Sequence, residues 1–526
     1  MSLYSKCVSR AASAFLFTLM GMSGAVNAQV KTDGGAVEGT TSVDGKVQIF
    51  KGIPFAAPPV GALRWKEPQP AAKWEGVRKA AEFGPRCMQG PIYGDMGFRD
   101  AGPSEDCLYL NVWTPKAAAD AKLPVMVWIH GGGFQAGATS EGRQDGEALA
   151  HKGVVVVSMN YRLGIFGFFS HPELQKESPH HASGNYGLLD QTAALQWVKK
   201  NVAAFGGDPD RVTIFGESAG SFSVSAQMAS PVSKELVHRA IGESGAFFGS
   251  SLPPKTLAEA EADGAKFGEE NGAPRLEQLR AMDAPKLLEI ALAGGNAFRF
   301  HPDIDGYFFP KSPAEIYKKG KQAHIPLLAG WNHDEGNFHM YFEKDPATKE
   351  TYAKKVADTA GASVDDMLKL FPGATDEQAQ ASAGLLATAD FIGYGTWKWI
   401  EMQTKPKGPA VYRYEFDQAP PLPESGAPPG ATPMAYHSAE IEYVFGMLNS
   451  KKLPWRKADF DLSDYMVSYW TNFAKTGDPN GAGLPLWPRY DGKTHYEVMH
   501  LAAEPQAAAD NQRKQYLFLD KLPAKP

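Results

Sequence analysis

The serine in Gly216-Glu217-Ser218-Ala219-Gly220 is the residue of this chain best placed for nucleophilic chemistry. It follows the β-forming run Arg211-Val-Thr-Ile-Phe215 and precedes small residues suited to a helix. A serine on such a tight turn is forced into a sparsely populated backbone conformation that lifts its hydroxyl above the sheet edge, and flanking glycines let neighbouring backbone pass without a Cβ clash. The motif alone is weak, because an ordinary helix start capped by serine reads the same way. A second feature strengthens it. Gly131-Gly132-Gly133-Phe134 follows the apolar run Val125-Met-Val-Trp-Ile129, and glycines after a strand expose N–H groups that can donate to a developing oxyanion. The amide of Ala219, at the helix start, is a further donor. A phosphate-binding loop would need a Lys-Ser/Thr ending, which His130-Gly-Gly-Gly lacks.

A serine hydroxyl is a poor nucleophile until a base removes its proton, and the base needs an acid to orient it. Downstream, Gly330-Trp-Asn-His-Asp-Glu335-Gly offers Asp334 and Glu335, and His437 follows a long loop. Both segments come after β-forming runs, where late loops return to the edge that carries Ser218. Spacing does not choose between the two acids. His301, His324, His333 and His339 compete for the role of base. His180-His181 hints at a metal, but no carboxylate sits at ligand spacing, so the pair reads as a polar loop.

The elements that must position these groups alternate. Residues 125–129, 154–157, 211–215, 325–329 and 411–416 read as strands, with 154–157 apolar on both faces as a buried parallel strand would be. Leu188, Leu195, Val198 and Val202 share one face of a helix expected over about 185–204, which Gly206-Gly207-Asp208-Pro209 stops. Alternating strands and helices predict a parallel α/β sheet. A mostly helical stretch covers about 253–400, and the Pro/Gly-rich 419–433 is an irregular loop. Neither an internal repeat nor a linker between independent domains is visible, so residues 29–526 are expected to form a single domain.

Composition narrows the partners. The 526 residues carry 53 Lys and Arg against 59 Asp and Glu, a formal charge of −6, with 43 % hydrophobic and 21 % charged residues. That is a globular protein without the basic footprint of a nucleic-acid binder. Residues 1–28 read as a secretory signal: Lys6 and Arg10 lead an apolar stretch, and Val26-Asn27-Ala28 suits a cut before Gln29. The stretch is shorter than the ~20 residues of a membrane span and is diluted with Ser, Thr and Gly, so stable membrane insertion is not expected. Cleavage removes Cys7 and leaves Cys87 and Cys107, which an exported chain can oxidise to a disulfide.

With these residues placed, the chain resembles the type-B carboxylesterase/cholinesterase family of α/β-hydrolases. The matching segments are Phe50-Lys-Gly-Ile-Pro-Phe-Ala, Ser104-Glu-Asp-Cys-Leu-Tyr-Leu-Asn-Val-Trp, His130-Gly-Gly-Gly-Phe, Asn160-Tyr-Arg-Leu-Gly, Gly184-Asn-Tyr-Gly-Leu-Leu-Asp-Gln, Val212-Thr-Ile-Phe-Gly-Glu-Ser-Ala-Gly, Asp334-Glu-Gly and His437-Ser-Ala-Glu-Ile-Glu-Tyr-Val-Phe-Gly. They run in family order from about residue 30 to the C-terminus. The resemblance implies an α/β-hydrolase fold, a central mostly parallel twisted sheet with helices on both faces and large helical insertions. It implies Ser218 as nucleophile, Glu335 rather than Asp334 as orienting acid, and His437 as base, in the chain order of that fold. Gly132, Gly133 and Ala219 would form the oxyanion hole, and Cys87–Cys107 the first disulfide. Glu217 and Ser244 match positions that line or support the site. Glu217, Phe134, Phe298 and Phe300 are the candidate substrate-pocket residues, although Phe298 and Phe300 read equally well as core aromatics.

One departure concerns substrate. The loop between Cys87 and Cys107 holds Tyr93, Phe98 and Arg99 but no Trp, which argues against cation–π capture of a choline ammonium. Arg99 reads as a solvated loop residue. The expectation is thus an exported serine carboxylic ester hydrolase working on small to medium esters through an acyl-enzyme. Neither a metal nor an organic cofactor, nucleic acid or obligate protein partner is implied. A catalytically silent binding relative of the fold would typically lack the nucleophile, and here serine, acid and histidine are all present.

Overall fold

The computed structural model describes residues 29–116, 120–295, 299–425 and 432–522. The leader expected over 1–28, the candidate pocket residue Phe298 and residues 426–431 of the Pro/Gly-rich loop lie outside the described residues. An eleven-stranded sheet organises the rest. In chain order its strands are β1 (Thr40–Thr41), β2 (Val47–Pro54), β3 (Tyr109–Pro115), β4 (Leu123–Ile129), β5 (Val155–Met159), β6 (Gly207–Glu217), β7 (Arg239–Glu243), β8 (Leu327–Asn332), β9 (Val411–Phe416), β10 (Glu497–Leu501) and β11 (Gln506–Ala509). Across the sheet they lie in the order β11-β10-β9-β8-β7-β6-β4-β5-β3-β2-β1. The stretch from β5 to β10 is parallel, and antiparallel pairs close both edges.

The two-residue side-chain period of each strand serves two cores. On β4, Val125, Val127 and Ile129 enter one apolar cluster while Met126 and Trp128 enter another. Such double burial is what a parallel sheet covered on both faces requires. Helices α1 (Tyr186–Asn201) and α2 (Ala219–Ala229) supply Leu188, Leu195, Val198 and Val224 to the first cluster, and α5 (Lys457–Thr476) supplies Leu462, Met466, Trp470 and Phe473 to the second. Helices α3 (Asp376–Thr388) and α4 (Tyr394–Gln403) lie in the helical insertion, joined by a π-helical turn over Ala389–Gly393.

Several elements differ in extent from the sequence reading. The helix ends at Asn201 and tightens into a 3-10 turn over Val202–Phe205, closed by Gly206 at φ 81°. Gly207 already belongs to β6, paired with Leu123. β6 also continues to Glu217, because Gly216 and Glu217 pair with Gly242 and Glu243. β8 starts at Leu327 and runs past Ala329 to Asn332, where Trp331 and Asn332 find partners in Glu415 and Phe416. In each case a neighbouring strand extends the ladder beyond the locally β-prone run.

Parallel register brings the functional loops together. Ile129, Gly216, Gly242, Ala329 and Arg413 sit side by side across five strands. The chain leaving each of those strands therefore emerges at one carboxyl edge, where ligands bind in open α/β sheets. Two motif segments are also tied together beneath that edge. Arg162 donates through Nε and Nη2 to the carboxylate of Asp190 at 2.8 and 2.7 Å, both residues being buried.

Candidate active site

Ser218 sits between the end of β6 and the start of α2 with φ 54° and ψ −124°. A non-glycine residue in this region carries strain of roughly 1–3 kcal/mol. The turn is pressed against the end of β4: a Cβ on Gly216 would lie 2.6 Å from the Ile129 carbonyl, and one on Gly220 would lie 2.0 Å from it. Only glycine at both positions allows that approach. The Ser218 N–H donates to the Glu243 carbonyl at 2.8 Å, and Phe222 N–H donates to the Ser218 carbonyl at 2.9 Å, which fixes the strained residue on both sides.

His437 arrives from the loop after β9. Its Nε2 is 2.9 Å from Ser218 Oγ, and its Nδ1 is 3.4 Å from Glu335 Oε2. Glu335 is itself held: its Oε1 accepts the Asn332 N–H at 2.8 Å and the Ser244 hydroxyl. Asp334 turns elsewhere, with Oδ1 2.9 Å from His333 Nδ1 and Oδ2 accepting the Ala435 N–H at 2.9 Å. The other histidines are engaged away from Ser218. His301 Nδ1 faces the Pro302 carbonyl, His324 Nε2 faces that of Gly320, and His339 packs on Phe338. His180 stacks on Tyr307 at 3.7 Å and has Glu67 as neighbour at 3.7 Å.

The glycine turn after β4 borders the same serine. Gly132 and Gly133 have φ 101° and 62°, and a Cβ on Gly132 would fall 2.1 Å from the Ala136 carbonyl. Among the described residues the N–H groups of Gly132, Gly133 and Ala219 have no protein acceptor, so three free donors lie on the two turns that meet at Ser218. Phe134 continues the turn at φ 59°, with its ring fully buried between Phe168 and Phe247. Phe300 packs edge-on against Phe169 and Phe267 and also borders a cavity of about 280 Å³.

The model of the carboxylesterase family matches residues 26–519. The chain belongs to the carboxylesterase family. It is 38 % identical over 509 residues to the fumonisin B1 esterase of Sphingopyxis macrogoltabida, covering 92 % of this chain and 90 % of that one. It is 37 % identical over 520 residues to carboxylesterase 1D of Rattus norvegicus, covering 91 % and 89 %. Among solved structures, a PNB esterase superposes with a TM-score of 0.79 at 35 % identity over 93 % of this chain and 99 % of that one. A carboxylesterase of Geobacillus stearothermophilus gives 0.77 at 32 %, with the same coverage. The α/β-hydrolase fold and a serine hydrolase of the carboxylic ester class are thereby shown.

Around the imidazole this carboxylesterase gathers more acid than its sequence announces. Glu217, Glu243, Glu335 and Glu440 are all buried. Glu217 Oε1 lies 3.3 Å from His437 Nε2 and has no hydrogen-bond partner. Burial is the main cause that pushes Glu217 up to about 8, opposed by His437. Burial and then the Glu335 charge raise Glu440 to about 7, against the Asn332 amide that donates to its Oε2 at 2.6 Å. Glu243 is raised well above the usual carboxylate range, first by burial and then by Glu440, while accepting the Trp470 indole N–H at 2.7 Å. Burial alone would lower His437, but the carboxylates of Glu217, Glu335 and Glu440 outweigh it and push the imidazole up to about 9. The Phe391 ring, on the π-helical turn, meets the imidazole edge-on at 5.0 Å. π-bulges within helices are frequent at functional sites.

Sequence reasoning named Ser244 and Glu217 but missed Glu440, Asn332 and Phe391. Glu440 had a local signal, since it stands three residues after His437, one helical turn away. Phe391 had none. Cys87 and Cys107 are bridged. Arg99 donates to the Ser140 carbonyl and Asp145 and lies over the Phe83 ring, so it serves structure at the surface.

Proposed function

We propose that this carboxylesterase hydrolyses small to medium esters through Ser218, His437 and Glu335 by way of an acyl-enzyme. His437 Nε2 takes the Ser218 proton as Oγ attacks the ester carbonyl, and Glu335 steadies the imidazolium that forms. The carbonyl oxygen becomes an oxyanion that accepts hydrogen bonds from Gly132, Gly133 and Ala219. Collapse expels the alcohol, which leaves with the proton from His437. Water then repeats the cycle on the acyl-serine and releases the acid. The observation that carries the reading is the 2.9 Å approach of His437 Nε2 to the hydroxyl of a strained Ser218, with three free N–H donors on the two turns that meet there.

Ser218→Ala tests it. The variant is expected to stay folded and to lose on the order of 10³–10⁶ in kcat on a neutral short-chain ester. Full activity in that variant would remove Ser218 as nucleophile. The proposal extends to compartment, with export and a mature chain starting at Gln29. The bridged Cys87 and Cys107 favour an oxidising environment. Mass analysis of the N-terminus in extracytoplasmic fractions checks it, and an intact leader there contradicts it.

A further inference from the structure

The cavity of about 280 Å³ beside the glycine turn has apolar walls, among them Ile92, Leu163 and Leu292, and one cation, Arg299. A Cβ placed on Gly133 would lie 2.9 Å from Arg299 Nη2 and 2.9 Å from the Tyr93 hydroxyl. The guanidinium and the phenol therefore rest directly on one of the glycines of the proposed oxyanion hole. Arg299 Nε is buried and has no hydrogen-bond partner, and among the described residues no carboxylate is paired with this side chain. Arg299 is half-buried; the buried arginines Arg162, Arg64 and Arg413 are matched by Asp190, Glu105 and Asp510.

A guanidinium stays charged at every working pH and offers a planar fork suited to carboxylate. Leaving the buried Nε–H unpaired costs free energy, which an anionic ligand would recover. The residue that follows Arg299 is held in place. The Gln135 amide donates to the Phe300 carbonyl at 2.7 Å, and the Phe300 ring is anchored on Phe169 and Phe267.

Distance fits a substrate that spans both points. A Cβ on Gly131 would lie 3.1 Å from Ser218 Cβ, while Gly133, two residues on, touches Arg299. Two peptide units reach at most about 7.6 Å. A chain of a few carbons, completed by a ~2.8 Å guanidinium–carboxylate hydrogen bond, bridges that span.

We infer that this esterase selects esters carrying a free carboxylate a few carbons from the scissile carbonyl, and that Arg299, aided by Tyr93, is the residue that reads the charge. The inference rests on the proposed Ser218 site. The charge could ride on the acyl or the alcohol half, and the substrates distinguish the two. Wild-type enzyme is compared on monomethyl glutarate against methyl pentanoate, and on 3-acetoxypropanoate against isopentyl acetate, by titrating released acid.

One of the two anionic esters is expected to exceed its neutral counterpart by tenfold or more in kcat/KM, mainly through KM. Arg299→Gln should cut that preference at least tenfold, and Arg299→Lys should restore part of it. Free glutarate should inhibit wild type more strongly than the glutamine variant, a binding readout that requires no turnover of an anionic ester. The inference falls if neither anionic ester is preferred, or if the preference survives Arg299→Gln. Failure of the Ser218 reading looks different, because hydrolysis of the neutral esters would then survive Ser218→Ala.

Discussion

Replacing Glu217 by glutamine tests whether the buried acids set the working pH of the base. The shape is kept and one carboxylate 3.3 Å from His437 Nε2 is removed. At an effective dielectric constant near 20, unit charges at that distance attract by about 5 kcal/mol. That corresponds to a ceiling of roughly 3–4 pKa units. The realised shift is smaller, because burial pushes Glu217 itself up to about 8. Below that pH Glu217 carries its proton for much of the time, and it titrates together with the imidazole. A shift of about 1–2 units is the expected remainder.

The sign follows from which form works. In the proposed mechanism neutral His437 takes the proton, and a nearby carboxylate stabilises the charged form that cannot. Losing the carboxylate lowers the imidazole pKa, so the acid limb of kcat/KM moves to lower pH. The profile is read between pH 5 and 9 with a neutral ester, alongside thermal unfolding to show that the variant is intact. In wild type the rate falls on acidification. A limb in the variant that stays within about 0.3 units of wild type, or moves upward, would refute the electrostatic argument.

Other consequences concern the frame. Changing both Cys87 and Cys107 to Ser opens a loop with a sequence separation of 20, which on the chain-entropy model removes about 3 kcal/mol of stability. Urea denaturation reads it, and an unmoved midpoint would rule that contribution out. Arg162→Met strands the fully buried Asp190 without its guanidinium and should cost about 3–5 kcal/mol. Adding Asp190→Leu should recover most of the loss. A double variant as unstable as the single one would mean that the unpaired charge is not the cause.

What the sequence discloses of the site divides along the range of the forces involved. Ser218 and the Gly131–Gly133 turn are legible because their chemistry is written in local backbone demands. A positive φ and close approaches to Ile129 and Ala136 require glycine at fixed offsets. Choosing Glu335 over Asp334 was beyond spacing, since both acids follow β8 on the same turn. The returning chain separates the two acids, with its Ala435 N–H donating to Asp334 while His437 faces Glu335. Strand ends depend on neighbouring chain in the same way. Trp331 and Asn332 are strand only because Glu415 and Phe416 lie beside them.

The buried carboxylates are harder still. Nothing near Glu217, Glu243 or Glu440 in the chain marks it as dry, and glutamate is ordinarily a surface residue. Their burial follows from the packing of distant elements: Trp470 of α5 covers Glu243, and Asn332 at the end of β8 covers Glu440. Arg299 is the same lesson with the sign reversed. Its segment discloses aromatics that could be core or pocket, and Phe300 packs on Phe169 and Phe267 while bordering a cavity. The charge beside it gains meaning only from a missing partner and from a glycine more than 160 residues earlier whose absent side chain leaves room for the guanidinium. The proposed nucleophile and glycine turn are thus announced by local geometry, whereas the burial that tunes Glu217 and Glu440, and the setting of Arg299, come from long-range contacts even where a motif contains the residue.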